Sequence, residues 1–140
     1  MELNWFIINT DGGSRGNPGP AAAGVVIKNA AGIVQELCGK YLGRATNNEA
    51  EYLAVILAFE TLLSKLKDPQ QTGLKFLLDS QLVANQLNGV YKVKEGRLLD
   101  FVVKIRQMEN KFAQVSYNYI PREQNKEADK LVNQALDTLL

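Results

Sequence analysis

The chain has 140 residues, 46% of them apolar and 22% charged, which suits one compact domain over residues 1–140 and excludes the core-poor composition of disorder. Sixteen Lys and Arg against fifteen Asp and Glu leave a formal charge of +1, so overall charge announces no nucleic-acid partner. There is no histidine and a single cysteine, Cys38, which removes Cys/His zinc sites, the Ser-His-Asp triad, the Cys-His dyad and any internal disulfide. Hydrolytic chemistry would have to rest on carboxylates, lysines, hydroxyls or metal ions held by oxygen.

In chain order, Asn4 to Thr10 is apolar and β-prone. Its apolar part, Trp5 to Ile8, is too short for a signal-peptide core, and no later stretch could span a bilayer, so a cytoplasmic protein without a membrane partner is expected. The densest cluster of glycine and proline, Gly12 to Pro20, reads as a wide turn between antiparallel strands. Gly24 to Lys28 is a second strand, Ala30-Ala31-Gly32 a tight turn, and Ile33 to Tyr41 a third strand completing a meander. From Asn48 to Leu66, Tyr52, Val55, Ile56, Phe59, Leu62, Leu63 and Leu66 recur at steps of three and four, an amphipathic helix capped by Thr46, Asn47 or Asn48 and ended by Asp68-Pro69.

Leu74 to Leu78 is a nearly continuous apolar run, the pattern of a central strand buried on both faces, and it ends at Asp79. A helix over Ser80 to Leu87 stops at Asn88-Gly89, and a second follows over Leu98 to Phe112. Ala113 to Ile120 alternates with Val115, Tyr117 and Tyr119 on one side, and Pro121 closes that strand. A final helix from about Glu123 to the end carries Ala128, Leu131, Val132, Ala135, Leu136 and Leu139 as one stripe. The order gives an α/β fold, a mixed five-stranded sheet of a three-strand antiparallel meander plus two parallel strands, flanked by helices.

Asp11 after the first strand, Glu51 in the first helical turns, Asp79 at the end of the buried strand and Asp129 one turn into the last helix could carry chemistry. In open α/β sheets ligands gather beyond the carboxyl ends of the strands, where Asp11 and Asp79 meet if their strands are parallel neighbours. Carboxylates brought that close raise one another's pKa, a conflict that a divalent cation resolves; two such ions about 4 Å apart clamp an in-line displacement at a phosphodiester. Each residue also has a plainer reading: a turn aspartate before Gly12-Gly13, a helix cap at Asp79-Ser80, a surface aspartate at 129. Glu49 and Glu51 fall on opposite edges of the apolar stripe, so periodicity does not choose between them.

Four stretches taken together, Thr10-Asp11-Gly12-Gly13-Ser14-Arg15-Gly16-Asn17-Pro18-Gly19-Pro20, Thr46-Asn47-Asn48-Glu49-Ala50-Glu51, Asp79-Ser80-Gln81-Leu82-Val83 and Pro121-Arg122-Glu123-Gln124-Asn125-Lys126-Glu127-Ala128-Asp129, resemble type 1 ribonuclease H across essentially the whole chain. The likeness is to the short archaeal-like and bacterial branch. It implies that Asp11, Glu51, Asp79 and Asp129 are catalytic carboxylates binding two Mg²⁺ ions, for which Mn²⁺ can substitute, and so selects Glu51 over Glu49. It implies endonucleolytic cutting of the RNA strand of an RNA–DNA hybrid to 5′-phosphate and 3′-hydroxyl ends. Gly12, Asn17, Glu51 and Gln81 would meet the RNA backbone, and Thr46, Asn47 and Asn48 the DNA strand.

Two departures stand out. Family members often carry a mobile histidine before the last helix; here Arg122 is the nearest substitute, able to act electrostatically but not as a base. The long basic protrusion is also missing, and the short stretch Gly89 to Arg97 offers Tyr91, Lys92, Lys94 and Arg97 against Glu95. The alternatives are a non-catalytic nucleic-acid-binding module of the same fold and a broader nuclease that also cuts double-stranded RNA. A monomer with no fused polymerase or hybrid-binding domain is expected.

Overall fold

In the computed structural model, which describes residues 2–94 and 96–138, three antiparallel strands come first: β1 (Asn4–Ser14), β2 (Gly19–Asn29) and β3 (Val34–Ala45). β1 and β2 extend well into the stretch read as a turn, with Gly12 opposite Ala23 and Ser14 opposite Ala21. Asp11 therefore lies within β1, opposite Gly24, not after it, and the turn shrinks to the residues between Ser14 and Gly19. Glycine in a strand often marks close approach of another backbone. A Cβ on Gly12 would sit 2.2 Å from the Ala50 carbonyl, and one on Gly24 2.2 Å from the Ala128 oxygen. Helices press on both faces there, so residues that resemble punctuation are packing surface.

Helix α1 (Asn47–Lys65) begins at Thr46, whose hydroxyl accepts from the Glu49 N–H at 3.1 Å while the Glu49 carboxylate accepts from the Thr46 N–H at 2.8 Å, a reciprocal cap. After a short 3₁₀ turn at Pro69–Gln71, β4 (Thr72–Leu78) runs parallel to β1, with Phe6 opposite Leu74 and Thr10 opposite Leu78. Leu74, Phe76 and Leu78 are buried, but Lys75 is exposed, so β4 is not buried on both faces as its apolar run suggests. The last helix, α4 (Lys126–Asp137), packs on β2, β3 and β1 and leaves that face of β4 open.

Ser80 caps α2 (Gln81–Leu87), and α3 (Gly96–Glu109) packs against α1. α3 starts earlier and stops sooner than its apolar spacing indicates; Phe112 follows it in a turn and still reaches the core, 5.7 Å from Phe59 between ring centres. β5 (Gln114–Tyr119) is parallel to β4 and completes one sheet of order β3-β2-β1-β4-β5, the expected mixed topology. Tyr117 is buried whereas Tyr119, at the outer edge, is half exposed. α4 begins later than Glu123 because Arg122–Gln124 forms a separate 3₁₀ turn and Asn125 points inward. Glu95 and Leu139 lie outside the described residues. Among the described residues no helix is long and apolar enough to cross a membrane.

Candidate active site

The parallel pairing of β1 with β4 brings Asp11 and Asp79 to the same carboxyl end of these two central strands, and the first turns of α1 add Glu51 to them. One carboxylate oxygen from each of the three lies within 4.8 Å of the others. Asp129, in the first turn of α4, lines the same cleft and its charge adds to the upward push on the Asp11 carboxyl, but it is outside that tight trio. All four line one cleft of about 420 Å³, together with Ser14, Arg15, Asn47, Asn48 and Arg122. A larger hollow of about 540 Å³ around Trp5 and Lys67 has Asp68 as its single acidic lining residue, so size does not identify the site.

Burial, followed by the charge of Asp79, pushes the Asp11 carboxyl up to about 7 from an ordinary 3.8. Glu51 is 7% exposed, and burial first, then the Asp11 charge, drives its carboxyl well above the usual range. One Glu51 oxygen, Oε1, accepts from the Gly12 N–H at 3.2 Å; the other, Oε2, is buried with no partner. A buried carboxylate with an unpartnered oxygen, clustered with two further carboxylates, is a costly arrangement for a protein by itself. It is the donor set that a hard divalent cation requires, so the residues fit a metal.

Asn125 is 1% exposed and ties the cluster to its surroundings. Its amide nitrogen donates to the Thr10 carbonyl at 2.8 Å and to Asp79 Oδ2 at 3.0 Å, and its Oδ1 accepts from the Asn9 amide at 3.0 Å. Asn125 stood in the fourth sequence motif without a role. The one signal for it was Asn9, an amide in an otherwise apolar strand that needs a buried partner.

The other site residues are placed as follows. Asn48 and Arg122 line the cleft, and Gly12 forms its floor, where glycine is required by the approach of α1. Thr46 uses its hydroxyl in the helix cap, while Asn47 accepts from the Ser14 N–H at 2.9 Å and donates its own N–H to Asn17 Oδ1 at 3.0 Å. Gln81 is exposed at the start of α2 and is not among the residues lining the cleft. Glu49 is occupied by the cap and by Arg97, whose Nε lies 2.9 Å from its Oε2. Arg97 also sits 5.6 Å above the Phe101 ring, and Tyr91, Lys92 and Lys94 are exposed beside it in sequence.

Fold and cleft together define the class of α/β domains that gather carboxylates around a divalent ion at the end of a parallel strand pair. A family model described as reverse transcriptase-like matches residues 9–135. The bifunctional protein Rv2228c of Mycobacterium tuberculosis is 40% identical over 132 residues, covering 94% of this chain and 35% of its own. Ribonuclease HI of Halobacterium salinarum is 43% identical over 129 residues, covering 91% and 62%. The structure of LC11-RNase H1, isolated from compost by a metagenomic approach, superposes with a TM-score of 0.92 at 42% identity, covering 98% of this chain and 99% of that one. Its complex with an RNA/DNA hybrid gives 0.89 at 43%, covering 96% and 98%. The chain belongs to the type 1 ribonuclease H family. It spans between 35% and 62% of the length of the two curated relatives named. The family is metal-dependent, and the acidic trio able to hold a metal is present.

Proposed function

We propose that the protein hydrolyses the RNA strand of RNA–DNA hybrids endonucleolytically, leaving 5′-phosphate and 3′-hydroxyl ends, with Mg²⁺ as its metal and Mn²⁺ as a substitute. The carrying observation is the meeting of the Asp11, Glu51 and Asp79 carboxylates in one cleft, with one buried Glu51 oxygen left without a partner. These three, with Asp129, are the residues that would hold two ions. Bound there, divalent ions supply activation of water and stabilisation of the leaving 3′-oxygen.

The chain's own contribution is orientation and charge. Asn125 fixes one oxygen of Asp79 and so limits rotation of that carboxylate. The Gly12 N–H fixes Oε1 of Glu51 and leaves Oε2 free to ligate. Arg122, on the cleft wall, offers a fixed positive charge to a phosphate or to the departing strand; being unable to release its proton, it cannot act as a base. Gly12, Asn17 and Gln81 are assigned to the RNA backbone, and Thr46, Asn47 and Asn48 to the DNA strand. The Asn17–Asn47–Ser14 bonds hold the two groups at a fixed spacing, which supports recognition by groove width and sugar contacts. Support for the hybrid as substrate comes from the LC11-RNase H1 complex. A module that only bound nucleic acid would gain nothing from buried carboxylates facing a phosphate backbone.

We assign the activity to a single domain acting as a monomer in the cytoplasm. The test is incubation with labelled hybrid, double-stranded RNA and single-stranded RNA, each with Mg²⁺, Mn²⁺ or chelator. Selective cutting of the hybrid that chelator abolishes is expected. Binding without cutting would establish the non-catalytic module, and equal cutting of double-stranded RNA the broader nuclease.

A further inference from the structure

Arg15 is one of two cations lining the acidic cleft, the other being Arg122. Its backbone is firmly held: its N–H donates to the Pro20 carbonyl at 2.8 Å, the preceding Ser14 is anchored to Asn47, and no Cβ could be accommodated on Gly19 beside the Arg15 carbonyl, 2.4 Å away. Its side chain is less constrained. The guanidinium pairs with Asp137 at the end of α4, 2.6 Å away, with the two side chains 46% and 61% exposed.

Asp137 is in an unfavourable position on its own helix. It is the last residue of α4, and the last turn of that helix carries no basic residue. The carbonyl end of a helix repels an anion and favours a cation. Among the described residues, Arg15 is the cation within ion-pair distance of Asp137. A locally unfavourable residue held by a long-range contact is the kind of inconsistency that marks functional sites. An exposed ion pair is worth little, so an incoming phosphate can displace it.

We propose that Arg15 is a phosphate-binding residue of the cleft, and that Asp137 occupies its guanidinium until the sugar-phosphate backbone of a bound strand takes the carboxylate's place. A guanidinium recognises phosphate and carboxylate oxygens with the same planar fork, which makes the exchange one of like partners. Asp137 thus competes with substrate for Arg15 and weakens binding without touching the reacting atoms. The inference rests on the hybrid-nuclease reading given above.

The test measures binding of a labelled RNA–DNA hybrid with Mg²⁺ in an Asp79→Asn background, across a range of salt, beside cleavage assays in the otherwise unaltered protein. Asp137→Asn is expected to tighten binding by about two- to fivefold at low salt, the factor an exposed ion pair carries. In cleavage it should lower KM by a similar factor and leave kcat unchanged. Arg15→Ala should weaken binding and reduce the salt slope by about one. In the double variant Asp137→Asn should bring no gain. If Asp137→Asn lowers thermal stability and leaves affinity unchanged, the pair is only a staple between α4 and the turn, and the proposal is overturned. An unchanged salt slope in Arg15→Ala overturns it equally. Failure of the unaltered protein to cleave the hybrid overturns the underlying reading, a result separable from the first two.

Discussion

Within the acidic cluster, position and proton affinity come from different neighbours. Asp79→Asn keeps the side-chain shape and removes the charge, so cleavage should vanish while the melting temperature holds; an active variant would refute the assigned role. Asn125→Ala removes the donor to Asp79 Oδ2 and leaves the buried Thr10 carbonyl without its amide partner. The expected cost is about 1–3 kcal/mol of stability in urea titrations, with kcat falling roughly ten- to a hundredfold. The raised carboxyls also set a pH dependence. Between about 3.8 and about 7, folded Asp11 keeps a proton that the unfolded chain releases. Its contribution to stability is therefore lost as pH rises through that window. In chelator the melting temperature should reflect this loss, and the increment gained on adding Mg²⁺ should grow over the same window. An increment independent of pH would contradict it.

At the level of elements, the sharpest constraint is the contact between β1 and α1. Gly12→Ala would force a Cβ to 2.2 Å from the Ala50 backbone, where neither strand nor helix can yield. We expect a loss of about 3 kcal/mol or more, read as a shift of the urea midpoint. This contact also explains what could and could not be read from the chain. Helices α1 and α4 and the interior of every strand were legible, because their apolar residues recur at the spacing of the face they bury. The ends of β1 and β2 were not: Gly12, Gly13 and Gly19 carry local turn preferences, and only the helices packed above them make extended backbone the better solution. Three of the four carboxylates were legible as strand-end or helix-start acids. Periodicity did not choose Glu51 over Glu49; the family resemblance did, and the structure supplies the physical reason, since the two differ in which neighbour each meets, Arg97 or the cleft. Asn125 escaped notice because its value lies in three partners, Asn9, Thr10 and Asp79, that are distant from it in sequence.

On the scale of the whole molecule, a formal charge of +1 leaves strand binding to local groups. Arg97, steadied by Glu49 and lying over Phe101, stands close to the start of α1. Its replacement by Ala should weaken hybrid binding and lower the salt slope by about one; a slope that stays put would mean that Arg97 touches no phosphate. The lack of any imidazole has a practical outcome as well. With Asp11 drawn up to about 7 and no histidine to titrate beside it, proton release near neutrality reports chiefly on the acidic cluster. Calorimetric injection of magnesium in buffers of differing ionisation enthalpy would then count the hydrogen ions expelled, giving occupancy without a substrate.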